Sequence, residues 1–338
     1  MLEYNGNERL KQDAPNAVQI ELVEGCNLAC SFCGIQSIRT NGASGPENIH
    51  GKASSPYKFL SVKTMQTITD QLKKAQWSPR IEFAMHGEPT MHPFYHEVIA
   101  HFRKELPRAS LMMTSNGGGL LKSPGIVENV NKLMENGLNV LFLDNYDRIK
   151  IVDKIQAKYT GPYPVLQYPA NKKGNPHRRR KPNEKDIVVG VDLTIATDGT
   201  HSQVSNHAGN AFPLNKKAEG KRCAKPFREM SIRWDGNIAI CCNDWVGEYK
   251  CGNIMEQPLD EIWQNEAFYS ARQKLYYGMR DFGPCRGCDN TTLRNGLLPD
   301  RMGKQVLPGP DEFTDANIKK ALDGEPYTPR VKKVFDFI

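Results

Sequence analysis

The order of apolar and polar residues along the chain predicts a series of alternating strands and helices. In residues 61–75, apolar side chains recur three and four positions apart, which is the spacing of one helix face. The same spacing predicts helices at 94–106 and 125–135. Short apolar runs that end in polar or glycine-containing turns predict strands at 18–23, 80–85, 109–113, 139–143 and 185–195.

This alternation predicts an α/β protein with a parallel sheet, because each helix carries the chain back to the starting edge of the next strand. Polar residues follow the predicted strands, as in His86-Gly87-Glu88-Pro89 and Thr114-Ser115-Asn116-Gly117. Barrel-like α/β enzymes place their chemistry at the carboxyl ends of their strands. We therefore expect the functional site at that edge.

The pattern changes beyond residue 220. Residues 230–234 and 238–240 are apolar runs on either side of Asp235-Gly236-Asn237, a sequence typical of a tight turn, and together they predict a β-hairpin. A helix is expected to begin at Pro258 and to end at Tyr276 or Tyr277. The carboxyl-terminal part is thus predicted to be a small α+β unit.

Composition is typical of a folded protein, with 39% hydrophobic and 25% charged residues among 338. No apolar run of about 18 residues is present, so no membrane span is predicted. The first fifteen residues lack the apolar core of a signal peptide, and a cytoplasmic location is therefore expected.

The nine cysteines fall into two groups, and none lies between residues 34 and 222. In a reducing compartment, grouped cysteines indicate metal or catalytic sites before disulfides. The first group, Cys26, Cys30 and Cys33, follows the first predicted strand. Three thiolates on one loop can bind three irons of a 4Fe–4S cluster and leave the fourth iron open. The alternative is a zinc site with His50 as the fourth ligand.

The spacing of these cysteines, with Phe32 before the third, resembles that of the radical S-adenosylmethionine (radical SAM) superfamily. The Gly-Glu-Pro turn after the second strand and the turn at 114–117 are similar to further motifs of that family. The resemblance implies a partial (βα)6 TIM-like barrel with a 4Fe–4S cluster on the three cysteines. It also implies S-adenosylmethionine contacts from Phe32, Gly87, Glu88, Pro89, Ser115, Asn116 and Asp144.

The second cysteine group resembles the auxiliary-cluster domains called SPASM and, in its shorter form, twitch. The resemblance implies a closed second 4Fe–4S cluster on Cys223, Cys241, Cys285 and Cys288, with Cys242 and Cys251 as small buried residues. A structural zinc ribbon is the rival interpretation, since four cysteines also suit zinc. The implied domains are an extension at 1–16, the barrel at 17–212, the auxiliary domain at 213–295 and a tail at 296–338.

The resemblance implies an enzyme that cleaves S-adenosylmethionine with one electron from an external flavodoxin- or ferredoxin-type donor. The 5′-deoxyadenosyl radical then removes a hydrogen atom from the substrate. If the auxiliary cluster accepts an electron, the net reaction is an oxidation or a crosslink, and otherwise it is an isomerisation.

The substrate is indicated only by a basic segment at residues 172–185, which holds seven lysines and arginines and one glutamate. Such a segment favours a nucleic-acid or phosphorylated substrate, although a solvated loop without a partner has the same composition. The candidate contacts are Lys172, Lys173, Arg178, Arg179, Arg180 and Lys181. The alternatives are a ribosomally made peptide, a sugar or aminocyclitol alcohol, or a non-catalytic, metal-stabilised nucleic-acid-binding protein.

Overall fold

A nine-stranded sheet organises the computed structural model. The structure describes residues 13–28, 30, 33–35, 57–145, 150–167, 186–192, 205–211, 218 and 220–290. The strands are β1 Ala17–Ile20, β2 Val23–Glu24, β3 Lys58–Phe59, β4 Arg80–Phe83, β5 Leu111–Ser115, β6 Val140–Asn145, β7 Val165–Gln167, β8 Asp186–Asp192, β9 Glu229–Ile232, β10 Asn237–Ala239 and β11 Lys250–Asn253. The helices are α1 Val62–Lys74, α2 Tyr95–Glu105, α3 Ile126–Glu135, α4 Ile151–Lys158, α5 Lys225–Arg228, α6 Leu259–Gln264 and α7 Glu266–Tyr276.

The barrel part of the sheet is parallel and runs in the order β1-β4-β5-β6-β8-β7. This confirms the predicted α/β class and the predicted strands. Strand β1 is buried along its whole length, as is typical of a central strand covered on both faces. The strand-to-helix order places the loops after β1, β4, β5 and β6 at one edge.

The helices that cover the barrel begin and pack as the sequence predicts. Helix α1 begins after Ser61, whose hydroxyl accepts a hydrogen bond from the Thr64 amide at 3.0 Å. Between α2 and the sheet, the rings of Phe83 and Phe102 meet edge to face with centroids 5.1 Å apart. Within the described part of the chain, no helix is both long enough and apolar enough to cross a membrane.

The predicted β-hairpin is confirmed, and it extends the barrel sheet. Strand β9 pairs in parallel with β1, with Ala17 opposite Glu229 and Ile20 opposite Ile232. Strands β10 and β11 then add antiparallel partners at this end. The carboxyl-terminal cysteines are therefore attached to the barrel by backbone hydrogen bonds.

The helix predicted from Pro258 is divided in two at Asn265. The side chain of Asn265 accepts from the Phe268 amide at 3.1 Å, which caps α7, and donates to the Cys251 carbonyl at 2.7 Å. Apolar spacing continues through this point because Trp263 and Phe268 pack together, with centroids 4.9 Å apart. The apolar periodicity therefore predicts one helix, whereas the cap formed by Asn265 divides it into two.

Candidate active site

An open cavity lies at the carboxyl ends of the barrel strands. The predicted residues that line it are Cys26, Cys30, Cys33, Gly87, Glu88, Ser115, Asn116 and Asp144. Pro89 begins a short 3₁₀ turn next to the cavity and does not line it. Phe32 lies outside the described residues.

The three cysteines of the first group are close enough to interact. Burial raises the pKa of the Cys26 thiol, and the nearby Glu88, Cys33 and Cys30 raise it further. The Cys26 sulfur also accepts hydrogen bonds from the Leu28 amide and from Asn116 Nδ2, each at 3.4 Å. A metal site suits this arrangement, because bound iron offsets the repulsion between thiolates and such N–H donors are common around metal ligands.

Gly87 brings the turn after β4 into direct contact with the loop before Cys26. Gly25 and Gly87 form an isolated parallel bridge, and the Glu88 amide donates to the Gly25 carbonyl at 2.9 Å. A Cβ atom at Gly87 would overlap the carbonyl oxygens of Val23 and Gly25. A side chain at this position would therefore push the cysteine loop away from β4.

Glu88 joins the ends of β4 and β5. Its buried carboxylate accepts from the Ser115 hydroxyl at 2.5 Å and from the Asn116 amide at 2.7 Å. Burial raises the pKa of Glu88, and the hydrogen bonds from Ser115, Thr90 and Asn116 oppose that shift. Glu88 thereby holds the turn that presents Asn116 to Cys26.

Trp245 lines the same cavity and was missed by the sequence analysis. It packs directly on Gly34, beside Cys33, where any added Cβ would meet the indole ring. The indole centroid is 4.7 Å from that of His86. Trp245 lies within the second cysteine group in sequence, three residues after Cys242, so no local motif connects it with a cavity in the barrel.

His207 is the second lining residue that the sequence analysis missed. Its Nδ1 atom is buried and has no hydrogen-bond partner among the described residues. Burial lowers the pKa of His207 to about 4, so its imidazole is neutral at neutral pH. The preceding residues are fixed to Asp289, which accepts from the Ser205 hydroxyl at 2.8 Å and from the Asn206 amide at 3.0 Å.

The four predicted auxiliary ligands lie near one another. Cys223, Cys241, Cys285 and Cys288 are buried, and the pKa of the Cys241 thiol is raised by burial and by the neighbouring Cys242, Cys285 and Cys288. Cys285 in turn interacts with Cys223 and Cys288. We call these four residues the auxiliary quartet.

The two remaining cysteines interact with charged groups outside the auxiliary quartet. Cys242 accepts a hydrogen bond from Lys225 Nζ at 3.1 Å. The pKa of Cys251 is raised by burial and by Asp244. The placement of both residues is compatible with the prediction that neither is a ligand.

The donor sets fit iron–sulfur clusters. The donors in both sets are cysteine thiolates, which are the usual ligands of these clusters. Backbone amides also donate to the quartet, from Asn243 to Cys241 at 3.4 Å and from Asn290 to Cys288 at 3.3 Å.

His86 connects the two cysteine sites. Its Nε2 atom donates to the Cys242 carbonyl at 3.0 Å, and its Nδ1 atom is 2.9 Å from Glu21 Oε1. His86 and Glu21 are both fully buried. Because His86 precedes Gly87 and Cys242 follows Cys241, one imidazole fixes the two loops relative to each other.

An α/β barrel with three thiolates at a cavity and a quartet in an attached hairpin defines a class of iron–sulfur enzymes. The model of the radical SAM superfamily matches residues 20–145, and that of the SPASM iron–sulfur cluster-binding domain matches residues 223–289. The chain belongs to the radical SAM superfamily and carries a SPASM-type auxiliary domain. Both implied cofactors, S-adenosylmethionine and 4Fe–4S clusters including an auxiliary one, are confirmed with this assignment.

Similar proteins agree with this assignment. The S-adenosyl-L-methionine-dependent 2-deoxy-scyllo-inosamine dehydrogenase of Niallia circulans is 24% identical over 282 residues, covering 82% of this chain and 94% of that protein. The structure of BtrN in complex with AdoMet and 2-DOIA has a TM-score of 0.58 at 21% identity and covers 86% of this chain and 99% of BtrN. BtrN in an open conformation has a TM-score of 0.53 at 19% identity, with coverages of 82% and 93%. The predicted fold is thereby confirmed.

When bound, the first cluster and S-adenosylmethionine supply a 5′-deoxyadenosyl radical after one-electron reduction by an external donor. Residues of this chain would supply the cluster ligands and the walls of the cofactor cavity. Cys26, Cys30 and Cys33 would hold the first cluster, and the turns at Gly87 and Asn116 would bound the cofactor on one side.

Replacing Cys26, Cys30 and Cys33 together by alanine is expected to remove one cluster and keep the other. Iron content should fall from about eight to about four per chain, because each 4Fe–4S cluster holds four irons. Anaerobic reconstitution followed by iron and sulfide analysis measures this. A triple variant that still binds about eight irons would contradict the assignment of these ligands.

Gly87→Ala is expected to weaken S-adenosylmethionine binding at least tenfold, or by about 1.4 kcal/mol, because the added methyl group separates the two loops. Equilibrium dialysis with the reconstituted, unreduced enzyme measures this. Gly220→Ala is the control, since Gly220 has a positive φ of 67° and nothing within 4 Å of an added Cβ. Equal affinities in the two variants would show that the overlap at Gly87 is not the cause.

Proposed function

We propose that this radical SAM enzyme oxidises a secondary alcohol of a small polar molecule, of the sugar or aminocyclitol class, to a ketone. The similarity to a named dehydrogenase along 94% of that protein's length carries the proposal. The single auxiliary quartet supports it, because such an oxidation requires an acceptor for one electron.

The oxidation removes three particles from the alcohol. These are a hydrogen atom from the carbon, one electron, and a proton from the hydroxyl group. The cofactors, when bound, would accept the hydrogen atom and the electron. The acceptor of the proton must be a basic group of the chain or water.

His207 is suited to accept the hydroxyl proton. It lines the cavity, its Nδ1 atom has no partner among the described residues, and its low pKa keeps the imidazole neutral, so that one ring nitrogen can accept a proton at neutral pH. A weak base is sufficient, because an alcohol that has lost a hydrogen atom and an electron is a protonated ketone and is strongly acidic. We therefore assign His207 as the proton acceptor of this reaction.

The polar lining supports a hydroxylated or aminated substrate. Asp144 offers a carboxylate on the side of the cavity formed by β6. The basic segment at 172–185 lies outside the described residues, so its contacts with a nucleic-acid or phosphorylated substrate stay a prediction. We further propose that a cytoplasmic flavodoxin or ferredoxin is the external electron donor.

The proposed function is tested with reduced, reconstituted enzyme, S-adenosylmethionine and a panel of alcohols that begins with 2-deoxy-scyllo-inosamine. We expect one equivalent of ketone for each 5′-deoxyadenosine released in the presence of a substrate, measured by mass spectrometry. Oligonucleotides and nucleoside phosphates form the second arm of the panel. Products formed only in the second arm would reject the alcohol proposal and support the polyanion interpretation.

His207→Gln is expected to lower ketone formation by about 100-fold, the usual contribution of a positioned acid–base group, while cleavage of S-adenosylmethionine continues. The ratio of ketone to 5′-deoxyadenosine measures this separation. His101→Gln is the matched control, because His101 is on α2 and contacts Thr69, away from the cavity. An unchanged ratio in His207→Gln would reject the role of His207 without rejecting the alcohol oxidation.

A further inference from the structure

The two cluster sites lie in opposite electrostatic surroundings. Beside the first site is the buried carboxyl group of Glu88, whose charge acts on Cys26. Beside the auxiliary quartet is the guanidinium group of Arg280, which is 6% exposed. An arginine is always protonated in proteins, so the positive charge beside the auxiliary quartet does not depend on pH near neutrality.

Arg280 is held by backbone carbonyls. It donates to the carbonyls of Lys221 at 2.6 Å, Arg222 at 3.0 Å and Asn290 at 2.7 Å. The first two carbonyls precede Cys223 and the third follows Cys288 by two residues. Arg280 therefore connects the segment before Cys223 with the segment after Cys288.

Arg280 forms no ion pair with a carboxylate within the part of the chain that the structure describes, and the buried Asp244 acts on Cys285 in the opposite direction. Asp281, its neighbour in sequence, is 71% exposed and pairs with Lys274 at 3.0 Å. A second buried cation, Lys225, differs in this respect because Glu229 pairs with it at 3.2 Å. Arg280 thus provides the larger net charge of the two.

This charge lies close to the ligands. Arg280 binds the carbonyl of Arg222, which precedes Cys223, and the carbonyl of Asn290, whose amide donates to the Cys288 sulfur at 3.3 Å. A buried cation beside the ligands stabilises an added electron on the cluster that they bind. The strength of this effect is increased by burial, because the interior screens charges less than water does.

We propose that Arg280 raises the reduction potential of the auxiliary cluster and so prepares that cluster to accept the substrate's electron. Reduction changes a 4Fe–4S cluster from the 2+ to the 1+ state, and a fixed buried cation favours the more negative state. Glu88 has the opposite effect at the first cluster, which must deliver an electron. Arg280 is a positioning residue in this role, since it acts through the cluster.

The measurement is an EPR-monitored redox titration of the full chain in the Cys26/Cys30/Cys33→Ala background, where only the auxiliary cluster remains. Arg280→Gln is expected to reduce the ratio of reduced to oxidised cluster at a fixed potential by at least tenfold. This equals a lowering of the midpoint by about 59 mV for one electron. Arg280→Lys retains the charge, and its midpoint should move by less than half as much.

Two outcomes would overturn the proposal. One is an unchanged midpoint in Arg280→Gln with about four irons retained. The other is an equal fall in Arg280→Gln and Arg280→Lys, which would assign the effect to the carbonyl contacts and not to the charge. Because no substrate is used, failure of the alcohol assay leaves this test unaffected.

If Arg280→Gln fails to bind the cluster, Glu229→Gln tests whether a buried positive charge raises the midpoint potential of the cluster. Removing the Glu229 carboxylate takes away one of the buried counter-charges of Lys225, so the midpoint should rise. Lys225 Nζ is 3.1 Å from Cys242 and its charge acts on Cys241, which places the change near the cluster. A midpoint that is unchanged or lower in this variant would overturn the proposal.

Discussion

The parallel pairing of β9 with β1 is the interaction on which the rest of the structure depends. It attaches a hairpin from beyond residue 220 to the first strand of the barrel, with four residue pairs in register. The pairing brings the auxiliary loop against the turn after β4, where His86 binds the Cys242 carbonyl. Two cysteine groups that are far apart in sequence thereby become parts of one site.

The shared site explains why the cavity has walls from both parts of the chain. Trp245, from the loop after Cys241, packs on Gly34 beside Cys33, and His207 is anchored through its neighbours to Asp289 beside Cys288. A substrate in this cavity would therefore be bounded by residues whose positions depend on the auxiliary loops. The auxiliary domain shapes the site in addition to holding a cluster.

The difference in charge between the two cluster sites is consistent with oxidation chemistry. A carboxylate near Cys26 disfavours an added electron on the first cluster, and a guanidinium near Cys223 and Cys285 favours one on the auxiliary cluster. Both groups are buried, so water screens neither effectively. Electron transfer from substrate to auxiliary cluster would follow this gradient.

The sequence by itself determined strands β1, β4, β5, β6 and β8 and helices α1 to α3, because apolar periodicity is a local property. The cysteine ligands stay a prediction from their spacing. Gly87 and Asn116, which were predicted to contact the cofactor, both line the cavity. The reason is again local, because each residue follows a strand and parallel strands end at one edge of the sheet. Tertiary structure decided the break at Asn265, the positions of His207 and Trp245, and the charge that Arg280 presents to the quartet. These depend on contacts between segments distant in sequence, such as Asn265 with Cys251 and Arg280 with Asn290. No periodicity or motif in the sequence predicts which distant backbone atoms a side chain will contact.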